Sequence, residues 1–181
     1  LRVRKMEVPL WWYSFGVNSK SSVSYFRNFI FGVEDSLVST VGLLSGVAIA
    51  GVEQRVLLVT GVVLICVEAI SMAAGSFLSE SSAETYEDRS DKLTWEPYIA
   101  SAVMFASYFC SGFVPLLPCI LFDVSIAFWI SIGASFAALL LLGIAGGSLS
   151  HTSVVKSVSR MLIVGGVAIA VGVGVGTVFG V

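Results

Sequence analysis

Three acidic residues, Glu34, Asp35 and Glu68, stand within long apolar runs of a 181-residue chain. A carboxylate in such a place costs roughly 2.5–3.5 kcal/mol on insertion scales, so each is a candidate for ion binding or proton transfer. At about 100° per residue, Asp35, Ser39, Gly42, Gly46 and Glu53 fall on one stripe of a helix, acidic at both ends and small between. Gly42 and Gly46 make a GxxxG spacing, which admits another backbone closely. Without the aspartate the stripe reads as a packing seam; packing does not require a buried aspartate. Further along, Glu68 and Met72 are four residues apart and stack on one helical face, continued by Gly75, Ser76 and Ser79. Carboxylate oxygen suits divalent first-row metals, and a thioether adds a softer ligand that magnesium or calcium does not select. The mixture suits a borderline cation such as ferrous iron. The other reading of Met72 is a flexible apolar filler.

The elements that carry these residues follow from composition. Hydrophobic residues make up 56% of the chain and charged residues 12%, about half the charged fraction of a soluble domain. Mean hydropathy is +0.94. At this length a soluble fold would leave too much of that surface in water, so lipid is the solvent for most of it. Apolar runs of about 20 residues, enough to cross a bilayer, occur five times. They cover Phe29 to Val52, Val56 to Ser79, Pro97 to Leu117, Ile120 to Leu142, and Met161 to Val181. The expected fold is therefore an all-α integral membrane protein of five transmembrane helices. Pro115 and Pro118, three residues apart, each lack an N–H, and a turn between the third and fourth spans is expected there.

Basic residues orient the bundle. Arg2, Arg4, Lys5, Lys20, Arg27, Arg89, Lys92, Lys156 and Arg160 all fall on one side, and only Arg55 on the other. Positive charge favours the cytosol, which places the N-terminus cytosolic and the C-terminus outside or lumenal. Residues 1–28 read as a cytosolic, interfacial segment with Trp11, Trp12 and Tyr13 as anchors and no removable signal peptide. Residues 29–181 read as one five-span domain without an internal repeat. Its longest polar connection, residues 80–96, holds six acids against Arg89 and Lys92, a net of −4. Glu80, Glu84, Glu87 and Asp91 form a helical stripe there, with Asp88 beside it. Negative potential at such a stub concentrates cations, or simply keeps the loop solvated.

Other chemistries find no support. Cys66, Cys110 and Cys119 lie in apolar runs as small buried hydrophobes, without a CxxC pair. His151, the sole histidine, reads as an interfacial loop residue, so no Ser-His-Asp triad is available and an enzyme is not expected. Asp123 is expected solvated at the far interface. The glycines at 172, 174, 176 and 180 read as a close-packing surface of the last span. A net charge of −2 gives no field for nucleic acid.

The segment from Asn28 through Gly32-Val-Glu-Asp35-Ser to Gly46, and the segment Glu68-Ala-Ile-Ser-Met72-Ala-Ala-Gly-Ser-Phe-Leu-Ser79, resemble the vacuolar iron transporter family. The Val114-Pro-Leu-Leu-Pro118 stretch and the basic connection into a Gly-rich last span match as well, so the resemblance runs from about Phe26 to the C-terminus. It implies a homodimer that exports ferrous iron, and often manganese, from the cytosol into a vacuole or across the plasma membrane in exchange for protons. The path would lie on the two-fold axis, lined by the first two spans of both subunits. Asp35 takes the place of the family's first-span aspartate and Met72 that of its second-span methionine. Some members carry a glutamate where this chain has Leu64; Glu68, one turn before Met72, is then the candidate for proton coupling, beside Asp35 and Glu34. The family's long Glu-rich cytosolic insert is reduced here to residues 80–96, whose Glu80, Glu84 and Glu87 resemble its start. Iron would be cargo, with no resident cofactor, and the partners would be lipid, protons and a second copy. Two other readings share the composition: a non-transporting membrane scaffold with Gly-rich seams, and a transporter of another small cation.

Overall fold

A computed structural model describes residues 19–88, 94–150 and 152–180; the side chains of 19, 20, 87 and 88 are not described. The described residues form five helices: α1 (Ser19–Ile49), α2 (Gln54–Asp88), α3 (Glu96–Leu121), α4 (Val124–Leu149) and α5 (Val154–Phe179). Each is long and apolar enough to cross a membrane. Trp11, Trp12, Tyr13, Arg89, Asp91, Lys92 and His151 lie outside the described residues.

α1 is the central helix and packs on all four others, while α2 leans mainly on α3, and α5 on α1 and α4. One apolar cluster joins Leu44, Leu57, Ile65, Leu116, Cys119 and Ala127, and a second joins Leu37, Leu139, Leu142 and Met161. Small hydroxyl residues fill the tightest contacts: Ser36, Thr40, Ser45, Ser131 and Ser135 are buried. Outward faces are apolar, as lipid requires. Val59, Val63, Val67 and Ile70 of α2 and Val167, Val171 and Val175 of α5 are all exposed. The α1–α2 connection turns on Gly51 at φ 78°, in the left-handed region that a Cβ disfavours.

The chain does not turn at Pro115 and Pro118. α3 runs through both to Leu121, and the turn falls at Phe122 and Asp123. Both prolines are buried on one face of α3. Neighbouring helices also supply side-chain donors to this end of α3. Ser131 Oγ of α4 donates to the Pro115 carbonyl at 2.7 Å, and Gln54 Nε2 of α2 donates to the carbonyls of Cys119 at 2.8 Å and Phe122 at 3.0 Å. The carbonyls that the two prolines leave without a helical donor are those of Ser111 and Val114, so these side-chain bonds anchor the end of α3 to its neighbours and do not replace the bonds lost at the prolines.

Several helices outlast the apolar runs that mark them. α2 has 35 residues, about 52 Å at 1.5 Å each, against a hydrocarbon core of about 30 Å. It therefore carries Glu80 and Glu84 beyond the bilayer as one continuous helix. α5 starts at Val154, so Lys156 and Arg160 stand on its first two turns rather than in a connection. The cysteines also divide: Cys119 is buried, Cys66 half-buried and Cys110 exposed. In lipid an apolar thiol has no need to face inward.

Candidate metal site

α1 and α2 run antiparallel and are tied near the basic end of the bundle. Asn28 accepts from Ser76 Oγ at 2.8 Å and donates to the Ser24 carbonyl at 3.0 Å. With Asn28 opposite Ser76, the level of Asp35 on α1 corresponds to residue 69 on α2. Glu68 therefore stands within one residue of the level of Asp35 on the neighbouring helix. Met72 lies three residues nearer the basic end, about 4.5 Å along the axis. Asp35, Glu68 and Met72 are each half-buried. Among the described residues, no three His, Cys, Asp or Glu side chains converge within one copy. A single chain thus presents two adjacent carboxylates with a thioether one turn below.

A residue absent from the sequence reading completes this cluster. Tyr108 of α3 is fully buried, and its hydroxyl hydrogen-bonds Ser39 Oγ at 2.8 Å, one turn of α1 beyond Asp35. Ser36 Oγ donates to the Tyr108 backbone carbonyl at 2.7 Å, fixing the register of α3 on α1. In the sequence Tyr108 is one aromatic in an apolar run; its partners are 69 and 72 residues away.

The glycines of the α1 stripe are used within the chain. A Cβ on Gly46 would stand 2.6 Å from the Gly172 carbonyl oxygen, and one on Gly42 3.1 Å from that of Ala168. Gly172 and Gly176 of α5 in turn meet the backbone of Gly42 and Gly46. Gly174 faces open space. Beside this seam lies an open apolar groove of about 580 Å³ between α1, α2 and α5, reaching from Ala50 and Phe179 to Ser39 and Leu64. The next turn of the same two faces carries Asp35 and Glu68.

The remaining candidates are placed elsewhere. Glu80 Oε1 accepts from Ser24 Oγ at 2.5 Å and from Asn28 Nδ2 at 3.3 Å, and pairs with Arg27 at 2.5 Å. It is the α2 half of a clasp onto α1. Ser21 adds a hydrogen bond from its hydroxyl to Glu96 of α3. Glu84 Oε2 accepts from the Thr94 backbone N–H at 3.3 Å. The Glu87 side chain lies outside the described residues. Glu34 lines a second groove, between α1 and the α4–α5 connection, where Arg160 attracts it. The structure thus sets Asp35 and Glu68 at nearly one level, with Met72 a turn nearer the basic end, and leaves Glu34 to line the other groove.

The model of the VIT family matches residues 26–96 and 88–177. Vacuolar iron transporter homolog 4 of Arabidopsis thaliana is 31% identical over 81% of this chain and 80% of its own length. Vacuolar iron transporter homolog 1 of Oryza sativa subsp. japonica is 29% identical over 91% of this chain and 78% of its own. The matched residues span all five helices, including the acidic face of α1 and α2 and the Gly-rich α5. A multi-pass integral membrane protein, the chain belongs to the VIT family.

Proposed function

We propose that this chain carries ferrous iron, and manganese, out of the cytosol in exchange for protons, along a path at the axis of a homodimer. The observation that carries the reading is the Asp35–Glu68 level with Met72 one turn away, set at the end of an open apolar groove between α1, α5 and Leu64 of α2. Two copies joined across that groove would bring together four carboxylates and two thioethers, a mixed oxygen and sulfur set suited to a borderline cation. Asp35 and Met72 hold the metal; Glu68 is the first candidate to receive the proton. A carboxylate away from water is stabilised by either a cation or a proton, so the two compete for the same oxygens. Glu80, Glu84 and Glu87 gather cations at the cytosolic end, and Glu34 takes no part in the path. The basic end of the bundle faces the cytosol, and the membrane is vacuolar or plasma.

A scaffold would offer its glycine seam to a partner helix. Here α5 already occupies that seam, which favours transport. The names of the relatives supply the iron; the soft ligand Met72 supports it. The test is flux of ferrous iron and manganese into proteoliposomes with and without an imposed pH gradient. Wild-type flux should depend on the gradient and Asp35→Ala should abolish it. Wild-type rates in Asp35→Ala would remove the core of the proposal.

A further inference from the structure

We propose that the groove between α1 and the start of α5 is a binding site for an anionic phospholipid of the surrounding membrane. The cavity, about 850 Å³, is lined by Arg27, Lys156 and Arg160 and by the hydroxyl residues Ser153 and Ser157. Much of the remaining wall is apolar, formed by Val23, Phe26, Ile30, Phe31 and Met161, with Phe31 of α1 half exposed at 49%. Against three cations, the described lining sets a single acid, Glu34. Arg27 also pairs with Glu80, just outside the lining, and with both acids counted one positive charge remains in excess.

Positive charge at a membrane surface alone spreads bases around a bundle. Here three of them, from two helices distant in sequence, line one concavity whose remaining wall is largely apolar. Basic pockets between membrane helices bind acidic lipid headgroups for this reason. The ligand chemistry is a phosphodiester carrying net negative charge, joined to a hydrocarbon tail. A lipid is favoured over a soluble anion because the groove offers both surfaces, and because tail and headgroup are present in the membrane at high local concentration. The site is separate from the Asp35–Glu68 level and does not rest on the transport reading.

The test uses the purified full-length chain in mixed detergent–lipid micelles, with bound lipid counted by native mass spectrometry. Phosphatidylglycerol should outcompete phosphatidylcholine at equal concentration, and Lys156→Gln/Arg160→Gln should lose on the order of tenfold of that preference. Arg55→Gln, at the opposite end, should keep it. The wild-type competition stands even if the double variant does not fold, and single Lys156→Gln gives an intermediate loss. Equal binding of the two lipids, an unchanged preference in the variants, or displacement of phosphatidylglycerol by millimolar inorganic phosphate would each overturn the proposal.

Discussion

Gly46 and Gly172 meet backbone against backbone, so closely that a Cβ on Gly46 would lie 2.6 Å from the Gly172 carbonyl oxygen. Because the obstructing atoms are main chain, no rotamer change relieves the clash; α1 and α5 would have to separate. Gly172→Ala should therefore destabilise the bundle by about 1–3 kcal/mol, the usual range for overpacking. Gly174→Ala, two residues away in open space, should leave stability unchanged. Thermal unfolding in detergent, followed for both variants, separates the two. Equal shifts would mean that the seam does not hold α5 in place.

Met72→Leu conserves volume and should cost under about 1.5 kcal/mol of stability. If the thioether ligates the metal, the same change should sharply reduce the thermal stabilisation given by ferrous iron while sparing any given by magnesium. A packing role for Met72 predicts that both metals act on the variant as on the wild type. Titration of the purified protein with each metal reads the difference.

The end of α3 from Pro115 onward is anchored by donors from two other helices. Ser131→Ala and Gln54→Ala should each lower stability by about 1 kcal/mol. Their effects should add, since they act on different turns of α3. Should neither variant shift the unfolding midpoint, packing alone would hold the end of α3.

These donors also mark the limit of what could be read in the chain. Five spans, the small stripe of α1 and the Glu68–Met72 face follow from hydropathy and helical period, which are local. The anchoring of the end of α3 involves Ser131 of another helix, and the clasp on Glu80 involves Ser24, Arg27 and Asn28, over 50 residues away. Such contacts leave no periodic trace. For the same reason Glu80 reads in sequence only as one acid of a stripe, and Tyr108 as one aromatic among many. The helix ends differ because a hydropathy run stops at a charge, whereas the backbone hydrogen bonds of α5 continue past Lys156 and Arg160 into the interface.

Glu80 gives a test of the clasp. Its side chain is 19% exposed against 67% for Arg27, so solvent screens the ion pair and the hydrogen bonds from Ser24 and Asn28 matter at least as much. Glu80→Gln keeps an acceptor and should cost about 1 kcal/mol or less; Glu80→Ala removes the acceptor shared by Ser24, Arg27 and Asn28 and should cost more. Hydrogen exchange of the residue 76–86 backbone should rise in the alanine variant first. Uniform exchange in both variants would show that α2 is held on α1 without the clasp.

Thr40 and Ser36 sit one turn apart on the central helix, both fully buried, yet they differ in kind. The Ser36 hydroxyl donates to the Tyr108 carbonyl at 2.7 Å, whereas Thr40 Oγ1 has no partner among the described residues. Burying an unsatisfied hydroxyl costs about 1–3 kcal/mol, and valine offers nearly the same shape without it. Thr40→Val should therefore raise the unfolding midpoint, and Ser36→Ala should lower it by removing a satisfied donor from a close contact. Opposite shifts from neighbouring turns cannot arise from a general loosening of α1. A fall in both would show instead that the Thr40 hydroxyl is in use, through a water held between α1 and the helices around it.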